Sequence, residues 1–151
     1  MKQTPVLINL LSIARYENAP EYPIQFMSGG FIRKEEDDRY ILTYRETQQD
    51  EETGEISEAD IELTLEKNRV TMNRKGEYSN TMVFVKDQRF EGIYRTPFGD
   101  MDMAVYSRAV SCNAGEQKGS VHLKYQLDVQ GAYASTNELH LEYTAEGKQN
   151  N

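Results

Sequence analysis

No stretch of this chain approaches the roughly 20 consecutive apolar residues that a membrane-spanning helix needs. The nearest thing to a leader segment is the run Val6-Leu7-Ile8-Asn9-Leu10-Leu11. It is short, Asn9 interrupts it, and no small-residue cleavage site follows, so it reads as a first strand rather than a signal peptide. Cys112 is the one cysteine, which rules out an internal disulfide. Both features favour a cytoplasmic protein. A basic stripe is also missing. The formal net charge is -8, which argues against binding nucleic acid through its phosphates and against an anionic membrane surface.

The absences continue among the motifs that carry chemistry. There is no Gly-x-Ser-x-Gly elbow, and Ser111-Cys112 has no histidine in a predictable relation to it. No phosphate-binding glycine loop of either standard form is present. Cys112 reads as a small, half-buried side chain rather than a reactive thiol. The two histidines, His122 and His140, fall on polar positions near the C-terminal end. A turn centred near Tyr133 would set His122 near Tyr143 or Thr144 and His140 near Gln126, keeping the rings apart. A zinc site needs three or four converging nitrogen or sulfur ligands, and the chain has too few, so neither a metal nor a cofactor is expected. No helix-period segment, internal repeat or low-complexity tract stands out, apart from one acidic stretch.

What the chain has in abundance is period-two alternation. Leu139-His140-Leu141-Glu142-Tyr143, Val121-His122-Leu123-Lys124-Tyr125-Gln126-Leu127 and Ile61-Glu62-Leu63-Thr64-Leu65-Glu66 all show it. Successive strand residues point to opposite faces, so the pattern marks a sheet with one face buried and one wet. Such segments at 4–16, 24–32, 39–46, 61–66, 69–74, 81–85, 89–95, 101–112, 119–129 and 138–145 predict about nine or ten strands. The first has Val6, Ile8 and Leu10 on one face and Leu7, Leu11 and Ile13 on the other, as a strand buried on both sides would. Gly29-Gly30 inside the second marks a bulge or bend. A two-residue turn at Lys67-Asn68 pairs Leu65 with Val70 and Leu63 with Met72, and Glu66 with Arg69 on the opposite face. Both faces come out matched, which supports the register. A turn near Asp87 places Phe84 opposite Phe90. In Thr96-Pro97-Phe98-Gly99, proline presets a type I turn and the glycine permits a bulge.

So many antiparallel strands with short turns are best served by closure, which removes exposed edges. The expected architecture is all-β: one closed antiparallel barrel of roughly 8–10 strands, forming a single domain over residues 1–151. Leu63, Met72, Phe84, Leu123 and Leu141 point inward. A two-sheet sandwich is the rival, disfavoured by the lack of long crossovers.

Several short segments sharpen this. Tyr44-Arg45-Glu46 ends a strand before the acidic loop, and Tyr94-Arg95-Thr96-Pro97-Phe98-Gly99 forms a hairpin turn. Tyr125-Gln126-Leu127 lies within 119–127, and Ser135-Thr136-Asn137 precedes the last strand. In order and spacing the chain resembles the YwiB-like family, small β-barrel proteins of Gram-positive bacteria. The resemblance spans nearly the whole chain and implies a calycin-like (lipocalin-like) barrel. It transfers no catalytic or binding residue.

Tyr40, Tyr44, Tyr94, Tyr125 and Tyr143 fall on the apolar phase of their strands. Buried phenols need hydrogen-bond partners, so they point to a partly polar cavity or, more plainly, to barrel mouths where hydroxyls reach water. Met82, Phe84, Met103 and Val105 share that phase, and methionines adapt to varied shapes. The leading expectation is therefore a small amphipathic ligand held by Tyr44, Tyr94, Tyr125, Met82, Phe84, Met103 and Val105. Arg45 and Arg95 fall on the outer phase, as surface ion pairs do. The alternatives are a protein-interaction module that meets a basic partner through residues 35–60, and, last, an enzyme of unread reaction inside the barrel. Oligomeric state is not legible.

The acidity is concentrated: residues 35–60 carry 11 acidic and 2 basic side chains, and the rest of the chain is almost neutral. Neither Glu35-Glu36-Asp37-Asp38 nor Asp50-Glu51-Glu52 has the alternating spacing and distal glutamate of a calcium loop. Residues 48–57 read as a solvated loop and 146–151 as a frayed tail. Millimolar calcium should accordingly leave the melting temperature unchanged; a large upward shift would contradict the solvated-loop reading.

Overall fold

The computed structural model describes residues 2–49 and 52–146. Its strands are β1 (Thr4–Arg15), β2 (Tyr22–Lys34), β3 (Tyr40–Gln49), β4 (Ile56–Glu66), β5 (Arg69–Gly76), β6 (Asn80–Phe84), β7 (Arg89–Thr96), β8 (Gly99–Asn113), β9 (Lys118–Val129) and β10 (Ala132–Ala145). A 3-10 turn at Glu36–Asp38 joins β2 to β3. Among the described residues no helix is long and apolar enough to cross a membrane.

All ten strands form one sheet, in the spatial order β6-β5-β4-β3-β2-β1-β10-β9-β8-β7. Two meanders radiate from β1, which pairs antiparallel with β2 on one side and β10 on the other. The sheet curls until its edges, β6 and β7, meet. This is the barrel that the alternation predicts. Inside it Leu63, Met72, Phe84, Leu123 and Leu141 are buried together with Val6, Ile8 and Leu10.

The β4–β5 hairpin has the expected register: Leu65 opposite Val70, Leu63 opposite Met72 and Glu66 opposite Arg69. At the Thr96–Gly99 turn, Phe98 N–H donates to Thr96 Oγ1 (3.1 Å), and the same hydroxyl donates to the Gly99 carbonyl (2.7 Å). Gly99 has φ 128°, a backbone angle that a side chain would strain.

Other expectations need correction. β1 is not buried on both faces, since Leu7 is 44% exposed and Leu11 and Ile13 are half-buried. Gly29-Gly30 causes no register shift against β1. Instead, a Cβ on Gly30 would collide with the Thr43 carbonyl and lie 2.7 Å from Ile8 Cδ1. Glycine is needed there because β3 passes so close, and the β2–β3 ladder runs only from Gly30 onward.

The β6–β7 turn does not zip a hairpin. Phe84 pairs with Val70, and Phe90 with Val105. The two edge strands are joined by a single bridge, in which Ser79 N–H donates to Arg95 O (3.0 Å) and Arg95 N–H to Ser79 O (2.8 Å). The bridge keeps the register that would set Phe84 against Phe90, but no ladder fills the interval.

The acidic loop is shorter than expected, because β3 and β4 extend to pair Gln49 with Ile56. Of that loop, Asp50 and Glu51 lie outside the described residues, as do residues 147–151 of the tail. Glu146 N–H donates to Pro5 O at 2.9 Å, so the tail's first residue is tied to β1.

The last hairpin turns at Gln130-Gly131, with φ of 54° and 78°, and not near Tyr133. A bulge between Tyr133 and Ser135 then resets the pairing and sets His122 directly opposite His140. The rings therefore converge, contrary to the separation that a turn at Tyr133 predicts. Gln-Gly is a weak turn signal beside Asn-Gly, and a bulge leaves no mark in an alternation pattern read one strand at a time.

Leu123→Ala or Leu141→Ala should cost about 2–5 kcal/mol, as large-to-small changes in a packed core do. Gly30→Ala, which drives a methyl into a backbone carbonyl, should cost about 1–3 kcal/mol or more. Urea unfolding midpoints measure all three. An unchanged midpoint for Gly30→Ala would mean that the strands do not approach as described.

Candidate functional site at the barrel mouth

Inward positions grade from apolar to polar along several strands. On β3 the inward series is Tyr40, Leu42, Tyr44 and Glu46; on β5 it is Val70, Met72 and Arg74. The register sets Tyr44 opposite Ile61, Ile61 opposite Arg74, and Glu46 opposite Ala59. Ala59 is small, so the long side chains of Glu46 and Arg74 meet across β4. Arg74 Nη1 donates to Glu46 Oε1, with both side chains under a quarter exposed. A half-buried pair in this setting is strengthened by the lower local dielectric and also costs desolvation.

Beyond the pair lies a cavity of about 320 Å³. Its polar wall comprises Glu46, Ser57, Glu58, Arg74, Glu77, Tyr78, Asn80, Tyr94 and Tyr125, so three carboxylates share it with one guanidinium, and its apolar wall Ala59, Met82, Met103, Leu127 and Val129. Asn80 sits opposite Arg74 in the β5–β6 ladder. Its side-chain oxygen is buried with no hydrogen-bond partner, an acceptor that lacks a donor. The cavity adjoins the open interval between β6 and β7, bounded there by Asn80, Met82 and Tyr94.

Three phenols share Arg74 as an electrostatic neighbour. Burial raises Tyr44 well above the ordinary tyrosine range, with the charge of Glu46 adding and that of Arg74 opposing. Burial pushes Tyr125 up to about 12, again against Arg74. Tyr94 is raised the same way, less deeply buried. The rings interlock: Tyr78 with Tyr94 at 6.1 Å and Phe84 with Tyr125 at 4.9 Å between centroids.

Of the seven residues expected to hold a ligand, Tyr94, Tyr125, Met82 and Met103 line this cavity. Tyr44, Phe84 and Val105 do not; they are sealed in the adjoining core. The alternation reading passed over Arg74, Glu46 and Asn80 as site residues. One further step along Val70-Met72 would have found Arg74, but an inward charge runs against the apolar expectation for that phase. Tyr143 is structural. It packs over Gly119, and its hydroxyl donates to the Gly115 carbonyl (2.7 Å) while accepting from Gly115 N–H (3.0 Å).

The remaining candidates resolve without chemistry. Arg45 pairs with Asp60 (3.0 Å) and Glu58 (3.5 Å), and Arg95 with Asp100 (3.0 Å), all on the exposed face. Within the acidic stretch, Arg33 pairs with Glu35 (2.9 Å) and Lys34 with Asp38 (3.6 Å), so part of that charge is met within the chain. Burial pushes the Cys112 thiol up to about 11, leaving little thiolate near neutral pH.

Fold and mouth together define a small antiparallel β-barrel, packed at its centre and open to a polar-walled cavity at one end. The chain belongs to the family described as Domain of unknown function (DUF1934), whose profile matches residues 8–141. The fold is similar to the crystal structure of ywiB protein from Bacillus subtilis, with a TM-score of 0.79 and 17% identity, covering 95% of this chain and 92% of that one. At that identity the likeness shows the fold alone. No curated protein matches the chain.

The phenols give the mouth a pH signature. A raised phenol contributes its full stability below the ordinary tyrosine value of 10.0, and the contribution is lost as pH climbs through the folded-state value, about 12 for Tyr125 and Tyr143. Absorbance titration should resolve a lagging group of tyrosines, and stability should fall as pH rises from 10.0 toward about 12. Ten tyrosines titrating as one exposed class would contradict this. Separately, Arg74→Met should cost about 1–3 kcal/mol by stranding the Glu46 carboxylate, and adding Glu46→Met should recover most of the loss.

Proposed function

We propose that the barrel mouth binds a small amphipathic molecule. The observation that carries this is the pairing of a half-buried Arg74–Glu46 couple and a partnerless Asn80 oxygen with an apolar wall in one cavity. Ligand sites are typically of about 300 Å³ or more, mostly apolar, with a few placed polar groups, and the mouth has that size and character. An anionic or carbonyl group on the ligand would accept from Arg74, and a hydroxyl or amine on it would donate to Asn80. The apolar part would lie along Met82 and Met103, whose flexible thioethers adapt to varied shapes. Tyr94 and Tyr125 would complete the polar end. Tyr44, Phe84 and Val105 would support this wall from behind. The proposal places the protein in a reducing compartment, the cytoplasm, where its lone thiol stays free.

Native mass spectrometry of freshly purified protein reads bound ligand and subunit number together. The fluorescent amphiphile 1-anilinonaphthalene-8-sulfonate serves as a defined probe, with an aromatic body and an anionic head. It should bind the parent chain, and Arg74→Met should weaken it about tenfold or more, the loss of a charged hydrogen bond. Met82→Trp should block it by filling the cavity. A parent chain that carries no copurifying ligand and fails to bind the probe would end the ligand reading.

A further inference from the structure

On the outer face of the barrel, away from the mouth, two histidines and a glutamate converge on adjacent strands. His122 of β9 and His140 of β10 are cross-strand partners. Their rings stack at 4.2 Å between centroids, with planes 15° apart. Glu138 lies two residues before His140, so it shares that face. Its Oε2 accepts from His140 Nε2 at 2.8 Å and from His122 Nε2 at 3.1 Å. One ligand atom from each residue falls within 4.8 Å of the other two.

A hydrogen-bonded triad on a wet sheet face is one account of this cluster. The donor chemistry and spacing fit another. Metal–nitrogen and metal–oxygen bonds of about 2.0–2.2 Å set ligand atoms roughly 3.3 Å apart around a tetrahedral ion, and the two distances to Glu138 already lie near that value. To share an ion, the two imidazoles must turn out of their stack so that both Nε2 lone pairs, which lie in the ring planes, converge on one point; half-exposed side chains on a wet face leave room for that turn. Their side chains are 36% and 44% exposed, so an ion can enter from solvent. Because each ring can carry its proton on either nitrogen, a neutral histidine frees Nε2 by shifting its proton to Nδ1 through water. The backbone ladder holds the three residues in place beforehand, so binding need not order a loop.

The surroundings agree with this in part. Leu11 and Ile13 of β1 stand opposite His140 and Glu138 and wall one side with half-buried apolar surface. Ser111 of β8 stands opposite His122. Lys124, opposite Glu138, works against the site, because its ammonium repels an incoming cation.

We propose that His122, His140 and Glu138 bind a divalent transition ion of the zinc or copper(II) class on the β9–β10 hairpin. Two imidazoles and one carboxylate suit such borderline ions, whereas calcium and magnesium prefer shells of oxygen. Three protein ligands leave at least one coordination position to water, the stoichiometry of an open zinc site. This site is independent of the barrel mouth, and ligand binding there plays no part in it.

The test is a zinc titration of the chelator-washed full chain by calorimetry, repeated with cobalt(II) and read by its visible absorption. The parent should take up one ion per chain. His122→Gln, His140→Gln and Glu138→Gln should each weaken binding by about tenfold or more and remove the cobalt bands. Cys112→Ser should bind as the parent does. Circular dichroism and melting of the metal-free variants separate lost ligands from lost fold. Nitrogen-15 shifts of the parent's imidazoles on adding zinc provide a readout that needs no variant. Absence of stoichiometric uptake, or uptake that survives both histidine substitutions, would overturn the proposal.

Discussion

An antiparallel sheet with unpaired edges leaves backbone donors and acceptors in need of partners, and that requirement shapes this molecule. Ten strands curl far enough for the outermost two to meet, but among the described residues the two edges share only the bridge between Ser79, just before β6, and Arg95 of β7. At the other end of the seam the two strands are joined by the chain itself, through a turn in which Gln88 N–H donates to Val85 O (3.0 Å). Closure is thus held at the two ends of the seam and left unzipped between them. The cavity opens beside that interval, so the incomplete closure and the candidate site are one feature of the fold.

The interior is graded along the barrel axis. Its centre is filled by branched aliphatic side chains and Phe84, as expected for close-packed protein. Toward the mouth the same inward phase carries Tyr44, Tyr94, Tyr125, Asn80, Arg74 and Glu46. A chain selected for core stability alone gains little from this, because a buried ion pair is often no better than apolar residues of similar volume. Polar groups at that depth are the ones the proposed ligand site would use. Membership of a domain family of unknown function neither adds to nor subtracts from that view, so the mouth stands on its own geometry.

The outer face holds a second concentration of chemistry, in the β9–β10 hairpin. Two local irregularities create it. The Gln130-Gly131 turn and the bulge between Tyr133 and Ser135 shift the pairing so that His122 meets His140. Without them, each histidine would be an isolated polar residue on a wet sheet. Bulges often re-aim side chains in this way.

Alternation by itself determined the all-β class, bounded the strands at nine or ten and marked Leu63, Met72, Phe84, Leu123 and Leu141 as inward, because one buried and one wet face impose a period of two on any strand. It also determined the β4–β5 register, where a two-residue turn and matched pairs on both faces leave no competing alignment. The resemblance to YwiB-like proteins agreed with the barrel. Tertiary structure alone decided what meets across strands. The Arg74–Glu46 contact depends on two ladders and on the small size of Ala59 between them; the histidine pair depends on a bulge; the seam depends on how far ten twisted strands curl. None of these is a property of one segment. A single sequence records which face a residue takes, while the partner it finds there is set by register and curvature, which the whole sheet determines together.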